Sequence, residues 1–118
     1  KIDDLVDAKS DVNGSSVFLG VNSGTNDTGN NDNTAVGNSS LFKNNSGNYN
    51  SAFGKNSLYN NEGGSENVGI GDFSGYSNVS GNKNIFIGNE AGYYETGSNK
   101  LYIENSSSNE TNSLVYGE

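Results

Sequence analysis

The chain has 118 residues with six Lys, no Arg and fourteen Asp or Glu, for a formal charge of −8, and it lacks Cys, His, Trp, Met and Pro. Asn, Ser and Gly supply 58 of its residues, and hydrophobic types only 30 %, below the roughly 45–50 % of ordinary globular domains. Zinc sites, disulfides, thiol nucleophiles and His-dependent triads are thereby excluded, binding to a phosphate backbone is disfavoured, and no apolar run could insert directly into a membrane.

Taken in order, residues 1–12 carry four Asp and two Lys among Ile2, Leu5, Val6 and Ala8. They predict a short amphipathic helix or docking segment that caps the adjoining repeats. Residues 13–100 form a repeat array. One pentapeptide recurs as Ser16-Val17-Phe18-Leu19-Gly20, Asn33-Thr34-Ala35-Val36-Gly37, Asn50-Ser51-Ala52-Phe53-Gly54, Asn67-Val68-Gly69-Ile70-Gly71 and Asn84-Ile85-Phe86-Ile87-Gly88. Its closing glycines are 17 residues apart without a slip. A small residue follows at Ser23, Ser40, Ser57, Ser74 and Ala91, then Thr25, Phe42, Tyr59, Tyr76 and Tyr93 two positions later. Residues 101–118 break the period: Leu101-Tyr102-Ile103 arrives a residue early, and a Ser106-Ser107-Ser108 linker leads to Leu114-Val115-Tyr116. The abrupt ends suggest a piece of a longer fibre.

Triplets such as Ile85-Phe86-Ile87, bounded by Asn and Gly, carry strand and turn signals. No apolar stripe at helical spacing competes with them. The fold expected is all-β: a parallel β-solenoid of five 17-residue coils, each with two or three short strands. At about 4.8 Å per coil the array would be roughly 24 Å long. Residues 17 apart then stack, so every column needs one physical property. The Gly20, Gly37, Gly54, Gly71 and Gly88 column implies a backbone shape or close approach that a Cβ would spoil. The Asn33, Asn50, Asn67 and Asn84 column could form an amide ladder, each side chain bonding to the one above. Alternatively, Asn merely suits the turn before the strand.

Within each pentapeptide the second and fourth residues point to one face of the strand and the third to the other. Filling the interior with the second and fourth (Val68 and Ile70, Ile85 and Ile87) would leave Phe18 and Phe86 outside. A partner would then be needed, because thin cores commonly depend on oligomerisation. A parallel homotrimer is the expected state.

The runs 33–41, 50–58 and 81–92 resemble the head repeats of trimeric autotransporter adhesins and related repeats of bacterial surface and tail-fibre-like proteins. The segments 96–105 and 114–118 are similar to the junctions after such arrays. The resemblance implies a left-handed parallel β-roll, trimeric and displayed outside the cell, with a host or cell-surface protein or glycan as partner. Adhesin heads repeat nearer every 14 or 15 residues, so a triangular left-handed β-helix stays open.

Catalysis has little to work with. Asp27, Asp32, Glu62, Glu66, Asp72, Glu90 and Glu95 read as solvated turn residues at unlike offsets rather than an acid and base pair. Asp27 and Asp32, flanking Gly29, are the sole pair placed to share a calcium ion, a minor alternative to no metal. Gly69-x-Gly71 lacks the helix and basic residue of a phosphate loop. No enzyme and no cofactor are expected. Two functions remain: an adhesin segment mediating surface attachment, or a purely structural spacer in a phage-like or injection-system tail fibre. The discriminating residues are Tyr59, Tyr76, Tyr93 and Tyr94, which would suit sugars or proteins if stacked outside.

Overall fold

The computed structural model describes residues 8–10, 14–107 and 114–118. Each coil contributes one three-residue strand at its apolar triplet. After β1 (Ala8–Lys9) come β2 (Val17–Leu19), β3 (Thr34–Val36), β4 (Ser51–Phe53), β5 (Val68–Ile70), β6 (Ile85–Ile87), β7 (Leu101–Ile103) and β8 (Val115–Gly117). They form one sheet in sequence order. From β2 to β7 every pairing is parallel, with Phe18 beside Ala35, Ala52, Gly69, Phe86 and Tyr102 in turn. The chain is therefore a β-solenoid with coils of 17 residues. The early arrival of Leu101 is absorbed by a last coil of 16, in which Ile85 lies beside Leu101. This adds a sixth rung to the five expected.

Both ends of the parallel stack are covered by antiparallel strands, β1 on β2 and β8 on β7. A bare terminal rung would present unpaired N–H and C=O groups to other chains. Ala8–Lys9 is thus strand rather than helix; the rest of the 1–12 segment, apart from Ser10, lies outside the described residues, as do 108–113 of the expected linker. Lys9 donates to the Gly24 carbonyl and sets its Nζ 5.1 Å from the Phe18 ring centre. At the other end Lys100 donates to the Tyr116 hydroxyl at 2.8 Å and pairs with Glu118. The Lys100 hydrogen bond and charge hold the Glu118 carboxyl below its ordinary range.

The expectation of two or three strands per coil is corrected to one. The remainder of each coil is a chain of turns, because positive φ recurs too often for extended backbone. Two residues after the closing glycine stand Asn22, Ser39, Asn56, Phe73 and Glu90 with φ of 56–61°. Four after it stand Gly24, Leu41, Leu58, Gly75 and Gly92 with φ of 50–60°. A third such column holds Asp32, Tyr49, Glu66, Lys83 and Asn99. None of these residues is β-branched, consistent with the cost of a branched Cβ in this region. The turns still bond coil to coil: the N–H groups of Gly24, Leu41, Leu58 and Gly75 reach carbonyls of the next coil at 2.9–3.0 Å. Gly92 has no such carbonyl above it and donates instead to Glu104 Oε1 at 3.1 Å.

The assignment of inside and outside is also corrected. The third pentapeptide position is buried: Phe18, Ala35, Ala52 and Phe86 are at most 1 % exposed. The second and fourth positions face outward. A three-residue strand sends its centre one way and its flanks the other, and the interior is too narrow for two side chains per coil. Its width is set by the column opposite, where Leu41 and Leu58 face Ala35 and Ala52, but Gly24 and Gly92 lie beside Phe18 and Phe86. A Cβ on Gly24 would stand 2.4 Å from the Phe18 ring, and one on Gly92 would stand 2.2 Å from Phe86. Large and small residues thus exchange sides in the first, second, third and fifth coils, whereas the fourth has Gly69 and Gly75 on both sides and is filled by Leu58 and Phe86 from the coils next to it.

Candidate interaction surface

At the closing glycines, φ is 120–133°, a region that L side chains rarely adopt. Space forbids a Cβ independently: at Gly54 it would lie 2.6 Å from the Gly71 carbonyl carbon of the next coil. Each of these glycines is the place where two coils touch backbone to backbone.

The Asn33, Asn50, Asn67 and Asn84 column is fully buried or nearly so, and its hydrogen bonds differ from the amide-to-amide ladder expected. Each Oδ1 accepts from the backbone N–H above it, at 2.8 Å for Asn50, 3.0 Å for Asn67 and Asn84, and 2.9 Å for Lys100. Each Nδ2 donates across the coil to a turn carbonyl, of Gly47, Gly64, Gly81 and Gly97, at 2.8 Å. The amide-to-amide ladder exists elsewhere, in a column that sequence reasoning missed. Asn61 Nδ2 donates to Asn44 Oδ1 at 3.0 Å, and Asn78 Nδ2 to Asn61 Oδ1 at 2.9 Å.

Counting by 17 finds this ladder as Asp27, Asn44, Asn61, Asn78 and Glu95, so two of the supposedly scattered acids are its ends. Asp32 and Glu66 likewise share the third positive-φ column. Asp27 accepts from Asn31 and, at 3.4 Å, from Asn44. Its Oδ2 is buried without a partner, and burial pushes its carboxyl up against the pull of the Asn33, Asn31 and Asn44 amides and the Gly29 N–H. Asp27 is thus turned into the ladder, whereas Asp32 is exposed. Glu95 Oε1 accepts from the Thr96 and Gly97 N–H groups, and Oε2 from the Tyr102 hydroxyl at 2.8 Å. Among the described residues, no three His, Cys, Asp or Glu side chains converge as metal ligands would.

On the outside, Phe42, Tyr59, Tyr76 and Tyr93 stack face to face. Successive ring centres are 5.1, 5.3 and 4.9 Å apart, with planes 9–16° from parallel. That spacing approximates the rise of a coil, so each ring covers its neighbour and all four are half-buried. Tyr94 stands edge-on to Tyr93 at 4.8 Å and 67°, and is 69 % exposed. Phe73, which belongs to a mixed column of Asn, Ser, Asn, Phe and Glu and so gave no periodic signal, joins the group 6.3 Å from Tyr93. Burial, then Tyr76, Tyr94 and the Glu90 carboxylate, raise the Tyr93 phenol above its ordinary pKa.

The second exposed feature is the outer face of the sheet. Val17, Phe53, Ile70, Ile85 and Ile87 are each 37–45 % exposed. Leu19, Val36, Phe53, Ile70, Ile87 and Ile103 form one continuous apolar column along it, while the column of Val17, Val68, Ile85 and Leu101 is interrupted by Thr34 and Ser51. No family model, curated protein or solved structure matches the chain.

Proposed function

We propose that this chain is a rigid, non-enzymatic segment of an extracellular or cell-surface fibre, assembled as a parallel homotrimer and serving surface attachment. The outer sheet face carries this reading. A contiguous strip of Val, Ile, Leu and Phe along a hydrogen-bonded sheet is costly to leave in water, at roughly 25 cal/mol per Å². A second and third copy in parallel would repeat the same columns at the same heights. The number three comes from the resemblance of runs 33–41 and 81–92 to trimeric adhesin heads. In this reading a host or cell-surface protein or glycan meets the exposed Tyr94 end of the aromatic row.

Sedimentation with light scattering tests the assembly. The expected mass is three times the 12.4 kDa chain at micromolar concentration, falling to a folded single chain when Phe53 and Ile70 are both replaced by Lys. A native protein that sediments as a single chain with full β signal overturns the trimer.

The tail-fibre spacer reading draws support from the Phe42–Tyr93 stack, whose rings spend their faces on one another and so stiffen the rod. Attachment of protein-coated beads to cell surfaces separates the two: adhesion lost in Tyr94→Ala favours the adhesin, and no adhesion in any context favours the spacer.

A further inference from the structure

Between the fourth and fifth coils lies an open cleft of about 420 Å³ lined by Phe73, Glu90, Tyr93, Tyr94 and Ser107. Its aromatic walls are not parallel: Phe73 and Tyr93 are tilted by 35°, and Tyr94 stands at 67° to Tyr93. Faces and edges set at such angles enclose a compact group better than they support a flat one.

The coils below indicate which charge belongs there. Lys43 holds its Nζ 5.9 Å from the centre of Tyr59, and Lys55 holds its own 5.9 Å from the centre of Phe73. Each cation comes from the coil beneath the ring it serves. Following the Lys55 column upward gives Asp72 and then Asn89; the Lys43 column becomes Asn60, Ser77 and finally Tyr94 itself. At the fifth coil the rings accumulate and neither of these two columns carries a lysine. The carboxylate of Glu90, one coil above Phe73 in its column, has no hydrogen bond or ion pair among the described residues, and Phe73 and Tyr93 line the cleft with it. Ring quadrupoles and a carboxylate then face one space with no lysine among its lining residues, the nearest cation contact being Lys55 on the Phe73 ring.

We propose that this cleft binds a methylated ammonium group of the choline type. Ring faces attract a cation within about 6 Å of their centres, and an adjacent carboxylate adds a Coulombic term that the net charge of −8 reinforces at long range. A methylated nitrogen has no N–H to satisfy and gives up its water readily, which suits walls made mostly of ring carbon. A primary ammonium would need acceptors that Glu90, two phenols and Ser107 supply only in part. The group could arrive as free choline or on a phosphocholine headgroup. Nothing here depends on the number of chains in the assembly, so trimerisation and cation binding fail separately.

The test is a titration of the full chain with choline chloride, followed by tyrosine fluorescence and aromatic NMR shifts, beside its neutral isostere 3,3-dimethylbutan-1-ol. Saturable binding with a dissociation constant on the order of 1 mM is expected, at least about tenfold tighter than for the alcohol. Glu90→Gln should weaken choline at least about fivefold and leave the alcohol unchanged, while Tyr94→Ala should weaken it by a similar factor. Tyr94 is exposed, so that variant retains its fold, which circular dichroism verifies. Co-flotation with phosphatidylcholine vesicles, on top of choline binding, assigns the source to lipid; choline binding without flotation assigns it to soluble choline. Equal binding of choline and the alcohol, or native affinity in both variants, overturns the proposal.

Discussion

The two sides of one coil reverse the usual distribution of polarity. On the side away from the strand, Asn44, Asn61 and Asn78 are stacked at zero exposure. On the strand's outer face, Ile70, Ile85 and Phe53 are partly in water. A thin solenoid has room for only one large apolar side chain per coil, so most of its interior must be filled by short groups that bond to their own images one coil away. Asn does this with a donor and an acceptor on one planar amide, leaving no buried valence unpaired. The surplus apolar residues then go outward, where they can serve a partner. Order within the chain comes from hydrogen-bonded columns, and the proposed association would draw on the outward apolar ones.

The largest effect should come from the glycine that lets two coils touch. Gly54→Val places a branched Cβ at φ 130° and 2.6 Å from the next backbone, and should cost more than about 4 kcal/mol. Lys55→Val beside it should change stability by less than about 1 kcal/mol; equal losses of Tm would contradict the close-contact account. Next, Asn61→Leu keeps the volume but strands Asn44 Oδ1 and removes one hydrogen bond each from the Gly64 carbonyl and Asn78 Nδ2, which keep Asn50 and the Gly81 carbonyl as partners. At about 1–3 kcal/mol for a stranded group and about 1 kcal/mol for a lost hydrogen bond, a loss of at least about 2 kcal/mol is expected in chemical denaturation. Ile70→Ser on the opposite face should move chain stability by well under half as much while weakening assembly. If Ile70→Ser costs the isolated chain as much as Asn61→Leu, the division between the two sides is wrong.

A smaller, compensating effect is expected inside the core. Phe18→Ala and Gly24→Leu should each destabilise, the first by about 3 kcal/mol and the second through overlap with the Phe18 ring. Together they recreate the Ala35 and Leu41 pair of the second coil. The double variant should therefore recover at least about 2 kcal/mol of the summed loss, and simple additivity in the double-mutant cycle would refute the exchange of volume between sides.

The end of the amide ladder gives a pH signature. Because burial raises the folded pKa of Asp27 above 3.8, the native state binds more protons than the unfolded one between the two values. The stability contribution is therefore full below 3.8 and lost as pH rises through the raised folded value. Asp27→Asn should remove that slope and continue the ladder with a donor where Oδ2 now has no partner, raising Tm at neutral pH. An unchanged pH profile of unfolding would show that Asp27 does not carry it. The smallest expected change is at Lys83, where φ is 59°. Lys83→Asn should gain about 0.5 kcal/mol, since Asn tolerates this conformation and already occupies the same column at Asn99.

Much of the fold was legible because a stacked coil writes its period into the chain. The 17-residue spacing, the strand triplets, the early Leu101 and the glycine contacts all follow from residues that must sit above their own copies. The tyrosine column was readable for the same reason, but not the cleft beside it: Phe73 and Glu90 share a column with Asn and Ser, and become neighbours of Tyr93 only through the turn geometry. The sequence also showed that each strand has two apolar faces, yet not which one is inside. Parity fixes only that the faces differ; the choice was made by the width of the coil, where Gly24 and Gly92 leave room for one Phe and Leu41 and Leu58 for one Ala. Likewise, composition supplied the asparagines, while backbone position decided that one column bonds to main-chain N–H groups and the other to itself. Repetition along the chain specified what stacks on what, and packing across the coil, which repetition does not encode, decided what faces inward.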